Sequence, residues 1–320
     1  MKNKNPQSAI GQLGFTLIEL MISLVLGLLI SAAVMQVFLT SQRVDRIQTA
    51  ASEIQDKAVF GLQSIEPQVR LANLGNDGVW INDKTAMGGI ILTVGDENAT
   101  GVNAAIKNGN QAQAGNFVTR TATLTNTNIP SDQLTIQYIN TTGRDLYDCE
   151  GEEIQPNAHV ITRYFVSGTA GTDRRNLNLS CNAGRIVNKV AERFPDAGQV
   201  IIENIDQFNI RLGVQKSIPN GSETIYQYAD MTVKEYMALP ANTDKPPIVN
   251  IRIAILARST ANSPEASADE FVIFGQKQKL KTQANAPKYL RRVYESNILL
   301  RNARVMRIID SSNTNATATP

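Results

Sequence analysis

The chain is short of the side chains that carry most enzyme chemistry. It has one histidine, His159, one tryptophan and two cysteines in 320 residues, and aromatics make up only 6%. A Ser-His-Asp or Cys-His arrangement would have to use His159 as its base. That residue lies in the alternating stretch HVITRYFVS, which reads as a strand. Two cysteines and a lone histidine make a poor structural zinc site, which needs four ligands. No G-x-S-x-G, P-loop or G-x-G-x-x-G occurs, so neither a nucleophile elbow nor a phosphate cradle is encoded and no cofactor is expected. An excess of charge is missing too. Lys plus Arg is 31 against 29 for Asp plus Glu, a formal +2, which gives no global field to draw the chain to nucleic acid. The expectation is a protein that is not an enzyme.

Asn, Thr, Ser and Gly are plentiful, a balance that suits a β-rich, loop-heavy extracellular domain. At 320 residues a large core is within reach. Cys149 and Cys181 lie 32 positions apart. They read either as a disulfide in an oxidising compartment or as two buried thiols, and closing the loop would stabilise the fold by about 3 to 4 kcal/mol.

Near the N-terminus, Leu20 to Gln42 is a run of 23 residues without a charge. As a helix it measures about 35 Å, enough for a hydrocarbon core of roughly 30 Å. Before it stands MKNKNPQSAIGQLG, basic at Lys2 and Lys4, which fits a leader held in the cytoplasm. Glu19 sits just before the run, where a carboxylate is costly and usually functional. Two ordinary readings compete: a secretory signal cleaved near SAA at 31–33, and a plain signal anchor. The second explains neither Gly14 nor Glu19.

The stretch GFTLIELMISLVLGLLISA resembles the class III signal of type IV prepilins and type II secretion pseudopilins. The resemblance implies cleavage after Gly14 by a prepilin peptidase, N-methylation of Phe15, and a place for Glu19 as fifth residue of the mature chain. There its carboxylate can meet the terminal amine of a neighbouring subunit and fix axial register, since a buried unpaired charge is expensive. The segments FGLQSIEPQVRLANLG, VIIENIDQFNIRLGV and YLRRVYESNILLRNAR are similar to parts of PilW-type minor pilins, although Glu66 and Pro67 depart from the usual pattern. This implies a minor pilin that takes part in initiating type IV pili within a priming or tip complex. Its partners would be other minor pilins, the major pilin, the prepilin peptidase, the inner membrane and the assembly platform. Its place would be a single pass of the inner membrane with a periplasmic head, then the pilus. The alternatives are a J-type pseudopilin of type II secretion, and a tip adhesin or DNA-uptake module on the same scaffold.

The expected fold class is α+β and pilin-like, a long N-terminal helix packed on an antiparallel sheet. The divisions are a leader at 1–14, a membrane helix at 15–42, its amphipathic continuation at 43–74, a β-rich head at 75–310 with a loop-rich, weakly anchored excursion at 96–132, and a disordered tail at 311–320. Val44, Ile47, Ala51, Ile54, Ala58, Leu62, Ile65, Val69 and Ala72 recur at spacings of three and four, the stripe of a helix packed on a domain. Pro67 should kink or interrupt it. Short β-branched runs follow: VWI, GGIILTV, QLTIQYIN, HVITRYFVS, QVIIENIDQFNIRLGVQ, ETIYQYA and PIVNIRIAILARS. Between Lys277 and Arg307 nine basic residues face one acid, Glu295. Arg291, Arg292 and Arg301 there are candidates for a DNA or partner patch, against a packed element whose apolar residues, Tyr289, Val293, Ile298, Leu299 and Leu300, interleave the charges.

Overall fold

The computed structural model describes residues 14–78, 80–107, 115–122, 124–168, 177–194, 197–220, 223–240, 244–263, 269–281 and 288–303. Expectations for the leader at 1–13, for 108–114 and 123 within the excursion, for Arg304 and Arg307, and for the tail lie outside the described residues. The chain divides into two compact units, 1–49 and 50–320.

A single helix, α1 (Leu17–Arg70), begins in the first unit and ends in the second. Its start is a capping box. The Thr16 hydroxyl accepts from the Glu19 backbone N–H at 3.3 Å, and the Glu19 carboxylate accepts from the Thr16 backbone N–H at 3.2 Å. Two of the helix's orphan donors are thereby satisfied. In the first unit the large apolar side chains of this helix are exposed as far as Val44, and Ile47 is half-buried. In the second unit burial begins at Ala50 and continues through Ile54, Ala58, Leu62, Ile65 and Val69, the three-and-four spacing of a packed stripe. Pro67 does not stop the helix, which runs on to Arg70. Only one backbone donor is lost there, close to the end. Termination falls to Asn73 and Gly75 of the NLGNDG run, at φ 68° and 72°, conformations that turn the chain out of a helix. The buried Asn73 side chain fixes that turn: it donates to the Asn302 carbonyl at 3.0 Å and accepts from the Gly89 N–H at 3.0 Å.

The strands are β1 (Val94–Gly95), β2 (Ala104–Ala105), β3 (Arg120–Thr121), β4 (Asp132–Ile139), β5 (Leu146–Tyr147), β6 (Glu153–Ile154), β7 (His159–Ser167), β8 (Asn178–Val187), β9 (Val190–Glu192), β10 (Gln199–Ile202), β11 (Ile205–Asn220), β12 (Glu223–Met231), β13 (Ile248–Arg258), β14 (Glu270–Ile273), β15 (Gln276–Lys279) and β16 (Arg291–Leu299). Two main sheets result. One is ordered β10-β8-β7-β4-β3 with β9 on β8, the other β12-β11-β13-β16. All pairings within them are antiparallel. One core joins them: Ile54, Leu62 and Val69 of the helix share a cluster with Ile136, Tyr164 and Leu179 of the first sheet and Phe208, Ile253 and Ile298 of the second.

Several expectations shift. VWI forms no strand in its described residues, and GGIILTV yields only β1 plus an isolated bridge from Ile90 to Ile136. QVIIENIDQFNIRLGVQ splits into β10 and β11, turning at Asn204 with φ 58°. The excursion at 96–132 is better anchored than its composition suggests. β1 and β2 pair in parallel. Buried Asn103 accepts from the Leu92 and Thr93 N–H groups and donates to the Asn82 and Thr85 carbonyls. One side chain thus replaces a strand partner for four backbone groups.

Candidate assembly site

Gly14, Phe15 and Thr16 lie in non-helical chain directly before α1, and Phe15 is 89% exposed. The Glu19 carboxylate takes the N–H of Thr16 at 3.2 Å and its hydroxyl at 3.1 Å, and no residue outside this first turn touches it among those described. The Thr-x-x-Glu spacing of Thr16 and Glu19 is the sequence signature that could have found this capping box. From Leu17 to Leu39 the large apolar side chains are bare, and the helix contains a segment long and apolar enough to cross a membrane. Such a surface gains by entering lipid or by packing on other helices of its kind. A carboxylate at the positive end of the helix dipole is favourably placed while it waits.

The disulfide reading of the two cysteines is the one realised. Cys149 and Cys181 are bonded, tying the turn between β5 and β6 to β8 across 32 residues. Asp148 next to it accepts from the Glu150 and Glu152 N–H groups and from Arg185 at 2.8 Å. The partner 37 residues away left no local pattern to find. His159 is a strand residue of β7 and lines a cavity of about 370 Å³ with Val102, Ile106, Gln137, Ile186 and Lys189. Its Nε2 meets the Gln137 amide oxygen at 3.2 Å, and burial pushes its pKa down to about 4. A neutral imidazole held by an amide, with no carboxylate or hydroxyl partner among the described residues, is not the base of a nucleophile pair.

The basic run is dispersed by the fold. Arg291 and Arg292 are consecutive residues of β16 and therefore point to opposite faces. Arg291 turns inward, its Nε 2.5 Å from the Asp206 carboxylate. Asp206 is fully buried, and also receives Asn126 at 2.7 Å and faces Arg258 at 3.7 Å. Arg292 is exposed on the strand and Arg301 in the turn beyond it. No common cationic face unites Arg291 with Arg292 and Arg301.

Comparison with known families gives two matches. Residues 163–302, from β7 to just past β16, match the family of the Type IV Pilus-assembly protein W. Residues 11–35 match the prokaryotic N-terminal methylation motif. No curated protein sequence matches the chain. Among solved structures, a type IV-like pilin from Thermus thermophilus aligns at 9% identity with a TM-score of 0.39, covering 78% of this chain and 98% of its own. A methylation motif at the start of a bare apolar helix, followed by a β head carrying the assembly-protein match, makes the chain similar to the type IV pilins and, over residues 163–302, to the PilW family.

Proposed function

We propose that the protein is a minor pilin that takes part in initiating type IV pili. Prepilin peptidase cleaves after Gly14, Phe15 becomes the methylated N-terminus, and the helix anchors the chain in the inner membrane with its head in the periplasm. The subunit then leaves the lipid to join other minor pilins and the major pilin at the assembly platform, with a place at the pilus tip. The observation that carries this reading is Glu19. Among the described residues its carboxylate is bonded only within its own first turn, while the large apolar side chains from Leu17 to Leu39 are unpacked. In a bundle of such helices, the carboxylate can exchange the Thr16 N–H for a neighbour's cationic amine. In low dielectric that pairing is strong and its absence is costly. Adhesion then comes from apolar packing and axial register from the charge. The function asked of the chain is interaction, with no catalysis of its own. A DNA-capturing role on Arg291, Arg292 and Arg301 is disfavoured, because Arg291 is committed to Asp206.

The test combines chemistry and assembly. Intact-mass analysis of the membrane-extracted protein should give a chain beginning at methylated Phe15. A start at Val34 would indicate an ordinary secreted protein, and a retained Met1 a simple anchor. Glu19→Ala should insert into the membrane as well as the wild type and be lost from filaments. Normal entry of that variant into pili would overturn the register role.

A further inference from the structure

The excursion at 96–132 walls a cavity against the first sheet. The cavity measures about 370 Å³, and Gln137 of β4, His159 of β7 and Ile186 of β8 form its sheet side. Ala99, Val102, Ala104, Ala105 and Ile106 supply the wall from the excursion. Side chains as small as these alanines leave space where a close-packed interior would have little. The volume and the mainly apolar wall are those of a small-molecule pocket.

Three of the polar side chains on the wall, Asn103, Gln137 and His159, are buried or half-buried, and they decide what fits. Asn103 is spent on four backbone groups. The Gln137 amide nitrogen donates to the Gly88 and Asn103 carbonyls, each at 2.9 Å, which leaves its oxygen for the His159 Nε2 at 3.2 Å. An amide oxygen only accepts, so Nε2 carries the proton of the neutral ring. Nδ1 is then a bare acceptor. It has no hydrogen bond among the described residues and is not one of the sealed, unsatisfied polar atoms of the head. Lys189 is the charged residue on the wall. It is exposed in the turn from β8 to β9, and its ammonium donates to the Glu97 carbonyl at 2.6 Å. That partner is neutral, and no carboxylate pairs with Lys189 among the described residues, so its charge and two of its three donors remain.

We infer that this cavity binds a small amphipathic hydroxy acid, a compact apolar body whose hydroxyl donates to Nδ1 of His159 and whose carboxylate meets Lys189. A purely apolar guest would leave the nitrogen desolvated and unpaired, and a cationic one would face the ammonium. A hydroxyl satisfies the acceptor without burying a charge. The inference goes beyond the assembly role and does not depend on it, because the cavity lies in the second unit and uses no residue of the long helix.

The test uses the full-length chain in lipid nanodiscs, with its histidine labelled in the ring nitrogens and read by solid-state NMR. His159 is the only histidine, so the ring gives one Nδ1 and one Nε2 signal. Without a guest, Nε2 should be the protonated nitrogen. The probe is para-hydroxyphenylacetate, which should move the Nδ1 signal saturably into the hydrogen-bonded range and leave Nε2 protonated. Para-methoxyphenylacetate has a similar shape and cannot donate, and it should bind about tenfold more weakly, the size of one neutral hydrogen bond. Lys189→Asn should weaken the probe about fivefold, the size of an exposed charge pair. Lys189 has φ 64°, a conformation that asparagine accepts, so the turn is kept. The methoxy comparison is made on the unaltered chain and decides the hydroxyl contact whatever the variant does. A protonated Nδ1 in the free chain, no saturable shift, or equal binding of the two probes would overturn the inference. Undiminished affinity in Lys189→Asn, with its guest-free ring signals unchanged, would overturn the carboxylate contact.

Discussion

Two single residues tie local chemistry to the behaviour of the whole chain. At Glu19, three hydrogen bonds with Thr16 spare the helix end its orphan donors, so removing the carboxylate costs little in an isolated subunit and much in a bundle. His159 acts through pH. Its pKa falls from 6.5 to about 4 because burial disfavours the charged ring, so the unfolded chain binds a proton that the folded chain refuses between those values. The neutral ring's contribution is complete above pH 6.5 and disappears as pH falls towards 4, by about 3 kcal/mol at ~1.4 kcal/mol per unit. Asp132 works in the opposite sense, since burial raises its pKa, and a raised carboxylate gains relative stability as pH falls. The comparison must therefore be with His159→Gln, which keeps a polar group near Gln137 and cannot charge. Urea unfolding of the detergent-solubilised chain at pH 7 and pH 4.5 should show a smaller acid-induced loss in the variant. Equal losses would refute the assignment.

At the scale of elements, the long helix has a different surface in each of the two units. From Leu17 to Leu39 its large apolar side chains are bare, and from Ala50 on it shows one buried stripe and one exposed face. At Gly61 helix and sheet are so close that an added Cβ would overlap the side chain of Ile202, which belongs to the core. Gly61→Val should destabilise the head by about 1 to 3 kcal/mol, the usual cost of overpacking, read as a lower urea midpoint. Gly27, which has no atom within 4 Å of an added Cβ, should accept alanine without loss. Among the strands, β8 shows what a sequence pattern hides. Asn178, Ser180, Asn182 and Gly184 alternate with its apolar residues and look like loop, yet the strand lies between β7 and β10 with Ser180 and Asn182 buried. Their polar groups find partners there, such as Ser167 for Ser180 at 2.6 Å. The stripe from Ile54 to Val69 was readable because its periodicity is local. β8 was not, because both its neighbours are distant in the chain or beyond a turn.

For the whole molecule, the disulfide is the main covalent restraint, closing 32 residues that include β6, β7 and the start of β8. Replacing Cys149 and Cys181 together by serine should lower the unfolding free energy by about 3 to 4 kcal/mol, through the freedom regained by the unfolded chain. Hydrogen exchange should show the β5–β6 hairpin losing protection first, since its other ties to β8 are few, among them Asp148 to Arg185 and Glu150 to the Ala183 N–H. An unchanged unfolding free energy would mean that the bridge constrains neither state.

The sequence by itself determined the parts written in consecutive residues. A run of uncharged side chains of membrane length, the Gly-Phe-Thr-x-x-Glu approach to it, the helical stripe beyond and most of the strands with alternating β-branched residues are all local patterns, set by the periods of helix and strand. Tertiary structure alone decided how those pieces meet. It made two sheets where one was expected and carried the helix on through Pro67 to Arg70. It turned Arg291 inward to an aspartate 85 positions away, and it set His159 beside a cavity walled by the excursion. Each of these depends on which distant group arrives to satisfy a charge, a backbone donor or an apolar face, and nothing in the spacing of neighbouring residues records that arrival.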